Sequence, residues 1–267
     1  MSTPLRAYVQ GIGLLGPGIA DWPSAVCVLN GETSWTRTST LLPSPERLPS
    51  AERRRTGSVV KLALAVGLEA SARATADPAT LATVFTSSGG DGQNCHEICQ
   101  ALAASDCQLS PTRFHNSVHN AAAGYWGIAT GAMAPSNALC AFDGSFAAGL
   151  LESLIQLAIE RTPVLLIAYD GIYPEPLRLS RPIPDPFGIA LVLSPSSGPA
   201  SVAQLEARLC DSPPDRMRDA ALEALRGSIP AARSLPLLER LAQRRAGHSV
   251  LEYLDGLALD VEVSACR

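Results

Sequence analysis

The sequence has no long apolar run, no excess of positive charge and no dense set of paired cysteines. Charged residues make up only 17% of the 267 residues, and the formal net charge is −4. A membrane-spanning helix needs roughly 18 consecutive apolar residues, and nucleic-acid binding depends on a basic surface. We therefore expect neither a membrane span nor a nucleic-acid partner. Because residues 1–4 also lack the apolar core of a signal sequence, we expect a cytoplasmic protein.

Motifs for metals, nucleotides and disulfides are missing as well. The seven cysteines are odd in number, and Cys95 and Cys99 have no CxxC spacing or second ligand pair around them. The glycine turn at residues 87–92 has neither a GxGxxG pattern nor a Walker lysine, and His115 and His119 lack the glutamate of a zinc-protease helix. The sequence therefore predicts no metal and no cofactor.

The apolar content is high for a chain with so little charge. Hydrophobic residues account for 46% of the sequence, with 21 glycines and 21 prolines. Such a composition is typical of a protein that buries an interface in addition to its own core. We therefore expect a protein partner.

Short apolar runs separated by helical patterns predict an α/β layered sheet. Five strands are expected, at residues 5–13, 81–86, 136–141, 163–168 and 188–194. Helices between the first four give the order βαβαβαββ. We predict one domain over residues 1–200. Residues 201–267 are predicted to form an appendage packed on it, with helices near 215–226 and 235–246 and a last strand at 257–263.

The segment 140–146 joins a predicted buried strand to a long amphipathic helix, and Asp143 lies at this turn. A side chain at the start of a helix faces unpaired backbone N–H groups, which is why enzymes often place a nucleophile there. Aspartate is also a favoured capping residue. Both interpretations of Asp143, site residue and helix cap, remain open at this point.

Three consecutive arginines, Arg53, Arg54 and Arg55, precede a second strongly amphipathic helix. A run of this kind is typical of a solvated helix entry. The alternative is a docking point for an acidic protein or a phosphate, since arginine binds both.

Several stretches match one enzyme family in the same order along the chain. They lie at residues 9–13 with Trp22 and 29–31, at 52–70, at 110–124, and at 135–152. In these stretches the chain resembles the N-terminal half of the β-ketoacyl synthases, enzymes of thiolase-like fold that condense acyl groups on acyl carrier proteins. The resemblance covers about residues 5–195 and implies a thiolase-like half-fold with a layered mixed sheet.

The resemblance also exposes two departures from the family. Pro135 and Glu152 match the nucleophile motif, but Asp143 stands where the family has its catalytic cysteine. A thiolate forms a stable thioester, whereas a carboxylate would give a reactive mixed anhydride. The family's two catalytic histidines belong to a second half of the fold that this sequence does not encode, and neither His115 nor His119 matches them.

A synthase-like half without these groups resembles the short chain-length-factor-like proteins of bacterial aryl polyene pathways. The resemblance implies a catalytically inactive subunit that forms a heterodimer with an active β-ketoacyl synthase, meets the acyl carrier protein through that complex and helps to shape the acyl tunnel. The alternative is an independent acyl-transfer or hydrolytic enzyme that uses Asp143, Ser145 or a histidine.

The same resemblance assigns two surfaces and a docking point. The tunnel and partner side is expected at Thr112, Arg113, Phe114, His115 and Asn116. The strand expected at the sheet edge, where it would pair with the partner, contains Ser136, Asn137, Ala138, Leu139 and Cys140. A carrier protein would dock at the three arginines 53–55.

Overall fold

The strands of the computed structural model, which describes residues 5–104 and 108–266, form one mixed sheet. Within these residues there are eight: β1 (Leu5–Leu15), β2 (Ala82–Thr86), β3 (Ser136–Leu139), β4 (Val164–Asp170), β5 (Phe187–Ser194), β6 (Ala203–Cys210), β7 (Gly247–Leu254) and β8 (Leu257–Ser264). Their order across the sheet is β3-β2-β4-β5-β1-β6-β8-β7. Strand β2 runs parallel to β3 and β4, and the remaining pairs are antiparallel.

The helices lie in the connections between the strands. In the described residues they are α1 (Trp22–Leu29), α2 (Ser50–Arg53), α3 (Ser58–Arg73), α4 (Gly92–Ala103), α5 (Pro111–Asn116), α6 (Ala121–Thr130), α7 (Ser145–Glu160), α8 (Leu177–Ser180), α9 (Ala220–Ser228) and α10 (Leu235–Ala242). Two short 3₁₀ turns, Phe142–Gly144 and Pro230–Ser234, precede α7 and α10.

Two apolar cores lie on opposite faces of the sheet, because side chains alternate along each strand. Leu166 of β4 packs in the core that contains α7, and the next residue, Ile167, packs in the core that contains α3. Every residue of β4 and β5 is buried, as expected for strands covered by helices on both sides. Helix α3 lies so close to β1 that a side chain on Gly11 or Gly13 would collide with its backbone.

The five predicted strands and their order are confirmed, with shifts of one or two residues at most ends. The α/β class with a layered mixed sheet is therefore correct. The prediction of a buried strand at 136–141 is wrong in two respects, because β3 has only four residues and its side chains are largely exposed. It pairs with β2 on one side only and lies at the edge of the sheet.

Strands β6 and β7 were not predicted. Strand β6 pairs with β1 and, together with β8 and β7, extends the same sheet. The C-terminal segment is therefore continuous with the sheet, and its helices α9 and α10 lie close to the expected positions. The domain boundary at residue 200 stays a prediction.

Helix α7 and the turn before it, Phe142–Glu160, are long and apolar enough to pass a length-and-composition test for a membrane-crossing helix. Half of that stretch is buried within the protein. Leu150 and Leu154 of this helix are fully buried in the core with β2 and β4. A central core helix passes the same test, so this finding is weak support for a membrane span.

Candidate functional site

The turn between β3 and α7 is held from both sides. The Ser145 hydroxyl donates a hydrogen bond to the Phe142 carbonyl oxygen (2.7 Å) and accepts one from the Ala141 N–H (3.0 Å). Phe142 has a positive φ of 50°, a conformation that is uncommon for a bulky residue. A side chain on Gly144 would collide with the backbone of Tyr253 on β7. The C-terminal segment is therefore packed directly on this turn.

Asp143 does not cap α7. The helix begins at Ser145, and its N-cap residue, Gly144, makes no side-chain hydrogen bond. The Asp143 carboxylate instead binds two arginines, one on each oxygen. Arg233 Nη2 lies 2.7 Å from Oδ2, and Arg181 binds Oδ1. The capping interpretation is wrong because both carboxylate oxygens face these guanidinium groups.

Three further contacts extend this ion-pair network away from the turn. Arg233 also binds Glu252 of β7, and Arg226 of α9 lies 4.0 Å from Glu252 and 2.7 Å from Glu223. Arginines and carboxylates therefore alternate along a path from Asp143 into the C-terminal segment. Each arginine has at least one carboxylate beside it, so the network carries little net charge.

Asp170, at the end of β4, holds the turn that carries Arg233. Its carboxylate is fully buried and accepts hydrogen bonds from the Ser88 N–H (2.9 Å), the Ser88 hydroxyl (2.6 Å) and the Ala231 N–H (2.8 Å). Burial raises the pKa of Asp170 to about 6, against the opposing effects of these hydrogen bonds and of Arg181. Asp170 thus joins the ends of β2 and β4 to the 3₁₀ turn that places Arg233 beside Asp143.

The arrangement around Asp143 suits charge pairing rather than nucleophilic attack. Both Asp143 oxygens are in ion pairs. Among the described residues, no histidine forms a hydrogen bond or an ion pair with Asp143. Ser145, the alternative nucleophile, is 2% exposed, and its hydroxyl is used within the turn. A nucleophilic hydroxyl would need a base within hydrogen-bond reach.

Cys140 lies beyond the end of β3, so its assignment to the edge strand is wrong. Its thiol donates a hydrogen bond to the Ser88 carbonyl oxygen (3.2 Å), because the chain turns toward β2 after Leu139. The other four predicted residues, Ser136 to Leu139, form β3, which pairs only with β2 in the described ranges. The outer edge of β3 is therefore open.

Exposed apolar side chains accompany this open edge. Ile128 of α6 and Met133 of the connection to β3 are 47% and 94% exposed. On α7, Ile155 and Ile159 are also exposed and are one turn apart. Open backbone groups beside exposed apolar side chains are typical of a surface that another chain covers.

The segment predicted to face the tunnel forms helix α5, and most of its side chains are on the surface. Phe114 is 66% exposed and His115 is exposed, whereas Thr112 is half-buried. Arg113 forms an ion pair with Glu97 of α4 (2.9 Å). The surface is available for a partner, and its tunnel-facing role stays a prediction.

Asn116 differs from the other residues of this segment. It is 8% exposed, its amide donates to the Arg55 carbonyl oxygen (2.9 Å), and it accepts a hydrogen bond from the Tyr125 hydroxyl (3.0 Å). The expectation that Asn116 faces a partner is therefore wrong for the isolated chain. His115 and His119 also do not share a helix, because α5 ends at Asn116 and α6 begins at Ala121.

Two of the three predicted docking arginines are already paired. Arg53 binds Glu46 (2.7 Å) and Arg55 binds Glu52 (3.2 Å). Arg54 is exposed and has no ion pair with any described carboxylate. The docking role of these arginines stays a prediction, with Arg54 the residue most available for it.

Sequence reasoning missed Arg181, Arg233 and Asp170. Asp170 carried a usable signal, because polar residues that follow a buried strand often lie at the functional edge of an α/β sheet. Arg181 and Arg233 carried none, since they lie 38 and 90 residues from Asp143 in the chain.

The fold is shared with solved ketosynthase structures. The chain is 23% identical to a chain of the structure described as the ketosynthase ApeO in complex with its chain length factor ApeC from Xenorhabdus doucetiae, with a TM-score of 0.74, over 97% of this chain and 99% of that chain. It is 12% identical to a chain of the ishigamide ketosynthase/chain length factor, with a TM-score of 0.72, over 100% of both chains. A third match belongs to AntDE:AntF, a type II polyketide acyl-carrier protein in complex with its ketosynthase, at 11% identity and a TM-score of 0.76, over 99% of this chain and 100% of that chain.

No curated protein sequence matches the chain. A sequence model of the β-ketoacyl synthase N-terminal domain matches residues 31–249. This range includes the turn with Asp143 and both arginines that bind Asp143. The structural matches agree with this assignment in fold. The chain therefore belongs to the β-ketoacyl synthase N-terminal domain family.

Proposed function

We propose that the chain is a non-catalytic, chain-length-factor-like subunit that pairs with an active β-ketoacyl synthase in polyene or polyketide biosynthesis. The observation that carries this proposal is Asp143, which stands at the nucleophile position with both oxygens bound by Arg181 and Arg233.

The chemistry of condensation supports an inactive role. A ketosynthase stores the acyl group as a thioester, which requires a thiolate at the nucleophile position. An ion-paired carboxylate is a poor nucleophile, and its anhydride with an acyl group would hydrolyse rapidly. The nearest thiol in the sequence, Cys140, is engaged by the Ser88 carbonyl oxygen. The nucleophile position therefore has no thiol that could hold the acyl chain.

The proposed partner follows from the open edge and from the neighbours in fold. Two of the similar solved structures are described as a ketosynthase with a chain length factor. Strand β3 offers unpaired backbone groups beside exposed Ile128 and Met133. We expect β3 to pair with the partner in a heterodimer that buries more than about 2,000 Å². The α5 surface would then lie near the partner's acyl tunnel, and Arg54 would contribute to binding of an acidic carrier protein.

The first test is mass spectrometry of the chain co-expressed with a ketosynthase from the same organism. We expect a 1:1 complex by native mass. After incubation with an acyl-carrier thioester, denaturing intact mass should show the acyl adduct on the ketosynthase and none on this chain. The ketosynthase in the same sample serves as the positive control for acyl transfer.

A stoichiometric adduct on this chain would contradict the proposal. If peptide mapping placed that adduct on Asp143, Ser145 or a histidine, the alternative of an independent acyl-transfer or hydrolytic enzyme would be supported instead. A monomer in the presence of the ketosynthase would contradict the partner assignment without affecting the family assignment.

A second prediction concerns product length. Phe114→Ala and Thr112→Trp change the bulk of side chains that we place near the partner's tunnel. We expect each variant to shift the distribution of product chain lengths in the reconstituted complex, with turnover of the first condensation unchanged. The measurement is product analysis by liquid chromatography and mass spectrometry. Leu41→Ala is the control, because it changes an exposed apolar side chain that lies about 70 residues before Thr112 and Phe114 in the sequence. Identical product distributions in all variants would remove the tunnel-shaping role.

A further inference from the structure

A cleft of about 200 Å³ lies between the C-terminal end of α10, the start of β6 and the end of β8. Its polar lining consists of Arg240, Arg244, Arg245, Ser201 and Ser264, and the rest is small or apolar. No aspartate or glutamate lines the cleft within the described residues. Among the described residues the cleft therefore brings together three positive side chains without a counter-charge, in a chain whose formal net charge is −4.

The guanidinium group of Arg240 is fixed at this cleft. Its Nε donates to the Ser249 hydroxyl oxygen (3.0 Å), and that hydroxyl donates to the Pro236 carbonyl oxygen (3.3 Å). Gly247, with φ of 132°, lies against the guanidinium, and an added Cβ there would be 2.8 Å from Nη1. Within the described residues its two terminal nitrogens donate no hydrogen bond, so Arg240 presents preorganised donors to the cleft at low entropic cost.

Arg244 and Arg245 reach the cleft because the chain reverses after α10. Arg244 adopts the left-handed region with φ of 49°, and the backbone N–H of Arg245 bonds to the Arg240 carbonyl oxygen. Both arginines are exposed, and neither forms an ion pair with a described carboxylate. Basic residues near a helix C-terminus are favoured by the helix dipole. The dipole does not require three guanidinium groups to line one concavity without a counter-charge.

We propose that this arginine cleft (Arg240, Arg244 and Arg245) binds the phosphate group of a phosphate ester. Guanidinium groups form bidentate, charge-assisted hydrogen bonds with phosphate oxygens. Three of them suit a tetrahedral phosphate group, which carries one negative charge as a diester and up to two as a monoester, better than they suit a planar carboxylate. The serine hydroxyls supply further donors. A volume of about 200 Å³ also has room for an organic group attached to the phosphate. This inference is independent of the proposed subunit function.

Calorimetric titration of the full chain, alone and in its ketosynthase complex, tests this proposal at constant ionic strength. The probes are inorganic phosphate, glycerol 3-phosphate and chloride. We expect both phosphates to bind and chloride not to bind. Arg244→Gln and Arg245→Gln should each weaken phosphate binding about tenfold. Arg218→Gln, which removes the same charge from an exposed loop, should leave the affinity within about twofold of the unmodified chain.

A carrier protein with and without its phosphopantetheine arm distinguishes the source of the phosphate. If inorganic phosphate competes with the carrier protein that bears the arm, but not with the carrier protein that lacks it, the ligand is the prosthetic group. If neither form competes with inorganic phosphate, the ligand is a soluble phosphate ester. The proposal is overturned if the chain binds no phosphate, or if both cleft variants bind it as Arg218→Gln does. Thermal unfolding of each variant establishes that it is folded.

Discussion

Asp143→Asn should lower the free energy of unfolding by about 2 kcal/mol, because it leaves Arg181 and Arg233 without their shared counter-charge. Removing one partner of a fully buried ion pair costs roughly 3–5 kcal/mol, and exposed pairs contribute less than about 1 kcal/mol. The side chains of Asp143, Arg181 and Arg233 are 25%, 20% and 15% exposed, which places this site between the two cases. Urea unfolding of the purified chain measures the effect.

A matched control and a double variant separate this effect from a general loss of charge. Glu206→Gln removes a carboxylate from an ion pair with Arg6, whose side chain is 55% exposed, and should cost less than about 0.5 kcal/mol. Adding Arg181→Gln to Asp143→Asn should recover part of the loss, since Arg181 has no other ion-pair partner among the described residues, whereas Arg233 keeps Glu252. A loss no larger than that of Glu206→Gln would contradict the structural role of Asp143. Loss of pathway output with unchanged stability and pairing would require a chemical role for Asp143.

Asp170→Ala should destabilise the chain by about 3 kcal/mol at pH 5. The substitution leaves the Ser88 N–H, the Ser88 hydroxyl and the Ala231 N–H without their acceptor in a fully buried place. An unsatisfied buried donor costs about 1–3 kcal/mol. The 3₁₀ turn that carries Arg233 should also become less ordered, which increased amide hydrogen exchange at residues 230–234 would reveal. Unchanged protection there would contradict the role of Asp170 in holding the turn.

The contribution of Asp170 should depend on pH in a defined direction. Its folded-state pKa of about 6 lies above the ordinary value of 3.8, so the folded state binds more protons between these two values. This contribution to stability is fully present below about pH 4 and is lost as the pH rises through about 6. Between pH 5 and pH 7, the unmodified chain should therefore lose about 1 kcal/mol of stability relative to Asp170→Asn. Arg181 is the charged group that opposes this shift, and Tyr169 and Tyr173 remain neutral in this range. A stability difference that does not change with pH would contradict the assignment.

Much of the candidate site was predictable from local patterns. The apolar runs of β4 and β5 indicate buried strands, and the change from an apolar run to a helical pattern places Asp143 at the turn before α7. The ordered motifs indicate the family without any structural information. These features depend on neighbouring residues only, so the sequence contains them directly.

Strands β6 and β7 were harder to recognise. In β6 the inward residues Ala203, Leu205 and Ala207 alternate with Gln204 and Glu206. The alternation is present in the sequence, but small and charged residues make it a weak signal. These residues form a strand because β1 and β8 supply hydrogen-bond partners on either side, and both partners are distant in the chain.

The sequence by itself determined the order of strands and helices along the first 195 residues, the absence of a thiol at the nucleophile position and the position of Asp143 at the turn. Only the tertiary structure decided what Asp143 does. Its partners, Arg181 and Arg233, lie 38 and 90 residues away and are placed by Asp170 and by the packing of β7 on the turn. The same holds for Asn116, which is turned inward by Arg55 and Tyr125. A local pattern specifies whether a residue lies in a helix, a strand or a turn. Its ion-pair partners depend on how distant segments of the chain pack together.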